Sequence, residues 1–364
     1  MATAEIANQV FRQLRGGGEP YETATYVAVP GNEMARWMLP AARPEIGRML
    51  ASWAPFRQRS RAAWSAVRAA TQLGRIAKIP GVSLLEVETE ADWTSLGWRG
   101  GEPPIPVIYL GTPGPKRKAV VHLVEPSSGI CRVVVKVPLT DEAKNAVLRE
   151  AEVLEALARE RYESSPRLLF VDWTRGIATQ SFMEGCPGSR RLTPECRRLL
   201  QSLLLPGEVT TLAEHAETWE REISDVADDS AEHRAVAAVI AKLHDESPLP
   251  ACWEHCDFAP WNIKRLSAGG CALLDWEDGR LRALPLQDAY HFLHMQDWLF
   301  GKQPKLHAPD VWEVATGMGV PPGQIRKLEA AYLVSAYLKC VRERNRERAR
   351  FVSSTVALLP GNFA

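Results

Sequence analysis

The most informative part of this chain reads His255-Cys256-Asp257-Phe258-Ala259-Pro260-Trp261-Asn262, and Asp275-Trp276-Glu277 follows thirteen residues after Asn262. It supplies two aspartates and an amide in a fixed order. A carboxylate can orient an attacking hydroxyl, and carboxylate and amide oxygens are ligands that suit Mg²⁺. Phosphoryl transfer from a metal–nucleotide complex needs these groups at this spacing. The pattern therefore predicts a phosphotransferase site.

The pattern H-x-D-x-x-x-x-N followed by D-W-E resembles the aminoglycoside phosphotransferase and choline kinase families, which are relatives of the protein kinases. The resemblance covers about residues 107–294. It implies an α+β, two-lobed protein-kinase-like fold with a small β-rich N-lobe and a mostly helical C-lobe. It also implies that Asp257 is the catalytic base, and that Asn262 and Asp275 hold Mg²⁺ against the phosphates of ATP. These three side chains are expected to gather around one divalent cation.

The same resemblance implies where the nucleotide is held. Lys136 lies in the apolar run Val133–Val137, where burying an ammonium group is costly without a partner. This is the position of the family's nucleotide lysine, which faces the α- and β-phosphates. A helix carboxylate should anchor it, with Glu150 as the best match and Glu152 as the alternative. The hinge residues expected to meet the adenine are Ser181, Phe182 and Met183.

Other residues around the motif are expected to be structural. His255 should orient its loop through hydrogen bonds, and Asp288 matches the family's aspartate that supports that loop. Cys256 stands where the small-molecule kinases commonly have glycine. A metal site formed by Cys252, His255 and Cys256 is disfavoured, because no fourth ligand and no paired cysteines accompany them.

The loop that would cover the phosphates is weakly marked. Gly111 and Gly114 are present, but Arg117 stands where a third glycine would be expected. Lys116, Arg117 and Lys118 could contact phosphates as point charges or could form a solvated hairpin tip. The sequence does not decide between these two interpretations.

Three regions are expected along the chain: an N-terminal extension with a basic helical stretch (1–101), a kinase-like N-lobe (102–183) and a helical C-lobe with the catalytic loop (184–364). Strands are predicted at 23–29, 105–110, 119–124, 132–137, 167–172, 177–183 and 271–274. Helices are predicted at 1–14, 46–79 with a break at Pro55, 141–161, 231–246, 287–299 and 324–350.

The composition is that of an ordinary protein without a dominant charge. Forty-four basic and 44 acidic side chains in 364 residues give no global field that would attract nucleic acid. The seven cysteines form no C-x-x-C pair, and no apolar run reaches the roughly eighteen residues of a membrane span. A cytoplasmic protein is expected.

Two charged segments have alternative interpretations. Between residues 41 and 80, arginines recur near helical spacing among aromatic and apolar residues: Arg57, Arg61, Arg68 and Arg75 with Trp53, Phe56, Trp64 and Leu73. This predicts a solvated face of a packed helix, with contact to a membrane surface as the alternative. The acidic segment Glu208–Glu232 is likewise expected to be solvated, with recognition of a cationic substrate as the alternative.

The sequence as a whole predicts an ATP- and Mg²⁺-dependent kinase that acts on a hydroxyl of a small molecule, with a sugar-like or aminoglycoside-like acceptor as the leading candidate. A catalytically silent, nucleotide-binding scaffold with the same fold is one alternative. A membrane-associated glycolipid kinase is the other. The acceptor, the hydroxyl and the oligomeric state are not determined by the sequence.

Overall fold

The computed structural model describes residues 3–15, 22–31, 34–55, 58–226 and 230–361. Its strands are β1 Thr23–Val29, β2 Trp37–Pro40, β3 Ser83–Glu88, β4 Ile105–Leu110, β5 Lys118–Val124, β6 Cys131–Pro138, β7 Leu168–Asp172, β8 Ile177–Ser181, β9 Gly185–Pro187, β10 Leu204–Thr210, β11 Leu249–Glu254, β12 Ile263–Leu266, β13 Cys271–Leu273 and β14 Arg280–Ala283. Its α-helices are α1 Thr3–Arg15, α2 Gly47–Ala51, α3 Gln58–Gln72, α4 Asp141–Arg159, α5 Pro194–Gln201, α6 Leu212–Ser224, α7 Ala231–Ile240, α8 Gln287–Leu299, α9 Trp312–Gly317, α10 Ile325–Arg342 and α11 Arg346–Val356.

The chain forms two compact units, one of residues up to Gly188 together with Ile263–Glu277, the other of Ser189–Asn262 and Asp278 onward. Most of the strands belong to the first unit and most of the helices to the second. The prediction of an α+β fold with a strand-rich part and a mostly helical part is confirmed.

An antiparallel sheet with the strand order β3-β1-β2-β4-β5-β6-β8-β7 forms the centre of the first unit. Alternate residues of its β-branched strands point to opposite faces. Thus Val133, Val135 and Val137 of β6 pack in the same cluster as Phe11 of α1, whereas Val134 packs in the cluster on the other face. The predicted strands at 105–110, 119–124 and 132–137 are confirmed.

The first hundred residues, whose role the sequence left open, contribute β1, β2 and β3 to this sheet. Helices α2 and α3 cover one face, where Trp64 and Val67 are buried beside Trp37. Arg61 is exposed, as the solvated-face interpretation of the basic stretch predicts. Phe56 and Arg57, which belong to the same predicted pattern, lie outside the described residues.

A second, smaller sheet brings a late part of the chain into the first unit. Strand β12 pairs with β9 and with β13, in the order β13-β12-β9. Gly185 of β9 lies against Arg265 of β12 so closely that a Cβ would collide with the Arg265 carbonyl. The sheet places the turn that follows β13, and with it Asp275, in the same unit as β5, β6 and α4.

The second unit combines the sheet β10-β11-β14 with α5–α11. The prediction of a single helix at 324–350 was wrong, because Arg344 adopts a left-handed φ of 56° and ends the first of two helices. The Asn345 side chain then accepts from the Arg348 amide (3.1 Å) and begins α11. The helix predicted to reach residue 246 ends at Ile240.

None of the helices within the described residues combines the length and apolar character needed to cross a membrane.

Candidate active site

Lys136 and Glu150 form a buried ion pair in the first unit. Lys136 is 6% exposed and Glu150 is fully buried, and Lys136 Nζ lies 2.6 Å from Glu150 Oε1. Strand β6 delivers the lysine and α4 the glutamate. The alternative partner, Glu152, is exposed on α4. Each charge of the pair compensates the other, so the Lys136 ammonium group is held in place within reach of Asp275.

Asp275 accepts from two lysines through one oxygen. Its Oδ1 lies 2.9 Å from Lys136 Nζ and 2.7 Å from Lys118 Nζ, while the side chain stays one-third exposed. Burial alone would raise the pKa of Asp275, but the Lys118 and Lys136 ammonium groups lower it far below its usual range. The carboxylate is therefore ionised at neutral pH, with Oδ2 not used by either lysine.

Lys118 was not singled out from its neighbours by the sequence. It is the first residue of β5, is 8% exposed, and binds Glu277 as well as Asp275. Lys116 is 46% exposed and lies 3.9 Å from Glu277 Oε1. Glu277 closes the D-W-E motif, which assigns it no role. Its contact with Lys118 joins residues 159 positions apart, which no local pattern could indicate.

The predicted hinge is an extension of the large sheet. The Ser181 amide donates to the Arg167 carbonyl (2.9 Å) and the Phe182 amide to the Arg132 carbonyl (3.0 Å). These two amides are therefore engaged within the protein. Phe182 packs near His122, with ring centroids 6.1 Å apart.

In the second unit, Asp257 is held from both sides. Asn262 Nδ2 donates to Asp257 Oδ2 (2.8 Å) and to the Asp257 carbonyl (2.9 Å), and His291 Nε2 lies 3.1 Å from Oδ1. Burial alone would raise the pKa of Asp257, but the contact with His291 lowers it below its usual value. Asp257 is 36% exposed at its side chain, whereas His291 is buried. The result is an oriented, ionised carboxylate with an accessible edge.

Asp288, at the start of α8, fixes the backbone that carries Asp257. Its carboxylate accepts from the His255 amide (2.7 Å) and the Cys256 amide (3.0 Å). The Asp257 amide in turn donates to His255 Nδ1 (3.2 Å). His255 and Asp288 thus hold the loop through hydrogen bonds, as the sequence predicts.

Burial lowers the pKa of His291 to about 4, despite the opposing contact with Asp257. The ring is therefore neutral at pH 7, and Nε2 must carry the proton to donate to the carboxylate. No sequence signal marked His291. The indication that could have been used is its place on the helix of Asp288, three residues further on.

The chemistry of the predicted metal ligands fits a hard cation. Asn262 uses its amide nitrogen toward Asp257, so its carbonyl oxygen is the atom that can bind a cation. Asp275 offers Oδ2 in the same way. Oxygen donors of this kind suit Mg²⁺.

Cys252 is a core residue, and its Sγ donates to the carbonyls of Ala283 and Leu284. No cluster of three or more His, Cys, Asp or Glu side chains in the described part of the chain is arranged to hold a metal.

The predicted residues thus fall into two groups, one in each unit. Lys136, Glu150 and Asp275 meet in the first unit, where Ser181, Phe182 and Met183 also lie. Asp257 and Asn262 meet in the second.

No family model and no curated protein matches this chain. Among solved structures, it is similar to choline kinase LicA from Streptococcus pneumoniae, with 15% identity, a TM-score of 0.48, and coverage of 68% of this chain and 92% of that one. A thermostable mutant of aminoglycoside phosphotransferase APH(4)-Ia gives 12%, 0.48, 69% and 93% for the same quantities. Macrolide 2′-phosphotransferase MphH from Brachybacterium faecium gives 15%, 0.47, 74% and 97%. The solved structures similar to this chain include LicA with AMP and an aminoglycoside phosphotransferase with GDP.

Proposed function

We propose that the protein transfers the terminal phosphoryl group of ATP, with Mg²⁺, to a hydroxyl of a small molecule. The observation that carries this proposal is the state of Asp257: an ionised carboxylate held by His291 and Asn262, with one edge exposed. A base that accepts a hydroxyl proton needs this combination of fixed orientation and access. The proposal also uses the resemblance of the motif, which assigns this position to the catalytic base.

Lys136 serves the nucleotide side of the reaction. In this proposal its ammonium group, oriented by Glu150, binds the α- and β-phosphates of ATP. Pre-organised charge of this kind supplies much of the catalysis in phosphoryl transfer, because the protein does little covalent chemistry itself. Ser181, Phe182 and Met183 would contact the adenine through the hinge carbonyls, the Met183 amide and apolar side chains.

Asn262 Oδ1 and Asp275 Oδ2 are the atoms that would bind Mg²⁺. When bound, the metal neutralises charge on the phosphates and orients them. The two lysines on Asp275 Oδ1 keep that carboxylate ionised, and their hydrogen bonds do not use its second oxygen. The Asp275 carboxylate would therefore already be ionised when Mg²⁺ binds.

The acceptor is proposed to be a hydroxylated small molecule, sugar-like or aminoglycoside-like. Recognition of a cationic acceptor by the acidic segment is not part of this proposal, because several of its carboxylates are paired within the second unit. These pairs are Glu208 with Arg282, Glu220 with His244 and Glu222 with Arg342. Asp228 and Asp229 of this segment lie outside the described residues. A cytoplasmic location stays a prediction.

Transfer from γ-labelled ATP to a panel of acceptors tests the proposal. The panel should include aminoglycosides, macrolides and choline, and each reaction should be run with Mg²⁺ and with a chelator. Asp257→Ala is expected to lower turnover by about a hundredfold or more while the protein stays folded. Asp275→Ala should do the same, and Glu217→Ala, on the exposed face of α6, is the control. Full turnover by either aspartate variant would overturn the assignment.

A silent nucleotide-binding scaffold would behave differently in this assay. It would show a thermal shift with Mg-ATP but no transfer to any acceptor and no ATP hydrolysis. Both measurements use the same wild-type protein.

A further inference from the structure

Lys118 and Lys136 lie on the same face of the large sheet. In the antiparallel register of β5 and β6, Val120 is opposite Lys136 and Lys118 is opposite Pro138. Since residues two apart on a strand share a face, Lys118 is the diagonal neighbour of Lys136. The two ammonium groups converge on Asp275 Oδ1, at 2.7 and 2.9 Å.

Lys118 is too deeply buried to belong to a solvated hairpin tip. The side chain of Lys118 is only 10% exposed, whereas that of Lys116, two residues earlier, is 46% exposed. Removing an ammonium group from water is costly unless partners compensate. Asp275 and Glu277 provide that compensation, and Glu277 gives Lys118 an anchor in the way that Glu150 anchors Lys136.

The convergence of two ammonium groups on one oxygen suggests that they can also bind an anionic ligand. Each lysine has its own anchoring glutamate, and both share one oxygen of Asp275. Two like charges held against a single oxygen repel each other, and a ligand with several anionic oxygens would satisfy them separately. The phosphate chain of a nucleoside triphosphate has that chemistry.

We propose that Lys118 is a second phosphate-binding residue, which contacts the polyphosphate of the nucleotide beside Lys136 while Glu277 holds it in place. The inference rests on the proposed function and extends it, because it assigns the phosphate chain two cations from adjacent strands. The proposal assigns no phosphate contact to Lys116, whose side chain is 46% exposed.

Nucleotide affinity of matched variants tests the inference. Lys118→Met is expected to weaken binding of Mg-ATP and ADP by about tenfold or more, the value of one charge-assisted contact, and to change AMP binding much less. Lys78→Met, at an exposed lysine away from the cluster, should bind all three like the wild type. Unchanged ATP affinity in Lys118→Met would overturn the inference.

Lys136→Met separates this inference from the function on which it rests. If Lys136→Met loses ATP affinity and Lys118→Met does not, only the role of Lys118 is wrong. If neither variant changes affinity, or the wild type binds no nucleotide, the proposed function fails as well.

A labelling experiment on the wild type covers the case in which Lys118→Met does not fold. The probe is ATP that carries an acyl group on its γ-phosphate. A neutral lysine amine beside the phosphates attacks the acyl carbon: a C–N amide bond forms, the C–O bond to phosphate breaks, ATP leaves, and the amine proton goes to solvent. Peptide mapping should find acylation of Lys118 and Lys136 that excess ATP prevents. Acylation of Lys136 alone would contradict the proposal.

Discussion

Cys256 adopts a φ of 64°, in the left-handed region where a side chain with a Cβ is strained. The hydrogen bonds from the His255 and Cys256 amides to Asp288 hold it there. Glycine would adopt this φ without strain. A small, unbranched residue is tolerated there at a cost.

A β-branched residue at this position should be much less tolerated. Cys256→Val is expected to lower the free energy of unfolding by about 2 kcal/mol, because valine in the left-handed region is a steric outlier. Cys256→Gly should stay within about 1 kcal/mol of the wild type, since relief of strain offsets lost burial and added chain entropy. Urea unfolding measures both.

Cys196→Val is the control, because the same chemical change falls on a buried cysteine inside α5. If Cys196→Val and Cys256→Val lower the free energy of unfolding equally, the effect at position 256 comes from the larger side-chain volume and not from the backbone conformation.

Lys264 is a buried lysine outside the proposed site. It is 8% exposed and its Nζ donates to the Ser52 carbonyl. Burial lowers its pKa to about 8. An unfolded lysine keeps its proton to about pH 10.4. Between these values the unfolded chain binds more protons, so stability rises with pH there.

Lys264→Met should remove this pH dependence. We expect the variant to be more stable than the wild type by roughly 1 to 2 kcal/mol at pH 7, and the gain to shrink toward pH 10. Urea unfolding at pH 7 and pH 9.5 measures it, with exposed Lys78→Met as the control. A wild-type and a variant curve that run parallel would contradict a depressed pKa at this lysine.

Helix α4 matters because it carries Glu150 to Lys136. Its N-cap is Thr140, whose Oγ1 accepts from the Ala143 amide (3.0 Å). Thr140→Ala should cost about 1 kcal/mol of stability, the usual value of such a cap. Thr140→Ser keeps the oxygen and should cost less than half of that. Thermal unfolding of the two variants side by side checks the difference, and equal stability would show that the cap contributes nothing.

Regular elements with a strong pattern could be predicted from the sequence. The β-branched runs of β4, β5 and β6 and the capped helix α4 were identified within one or two residues. The break between α10 and α11 was missed, because the apolar pattern continues through it and only the backbone of Arg344 interrupts it. Strands of three or four residues, such as β9, depend on a distant partner and left no local signal.

Some contacts of the candidate site could likewise be predicted from the sequence and others could not. The pair Lys136–Glu150 could be predicted because strand and helix are consecutive in sequence. The contacts of Lys118 with Glu277 and of His291 with Asp257 could not, since they join residues 159 and 34 positions apart. Such contacts are set by sheet register and helix packing, which a single sequence does not reveal.

At the scale of the whole molecule, each unit contains a histidine with a lowered pKa. Burial lowers the pKa of His122 in the first unit and of His291 in the second to about 4. An unfolded histidine titrates near 6.5, so between pH 6.5 and 4 the unfolded chain binds more protons. Stability is therefore lost as the pH falls through this range.

We expect each of the two histidines to cost roughly 2 kcal/mol of stability between pH 7 and pH 5. His122→Gln should reduce the loss. Urea unfolding at the two pH values measures it, and an acid sensitivity that is the same in the wild type and the variant would contradict the role of His122.

The first unit is assembled from two separate pieces of chain, because Ile263–Glu277 returns to it after the polypeptide has passed through Asn262 of the second. Neither unit can therefore be cut out as one continuous fragment. A protein truncated after Gly188 would lose Asp275 and Glu277 together, and Lys118 and Lys136 would retain Glu150 as the one carboxylate of this cluster. Such a fragment would leave two ammonium groups with one carboxylate, and residues 263–277 supplied as a separate peptide would return the other two carboxylates.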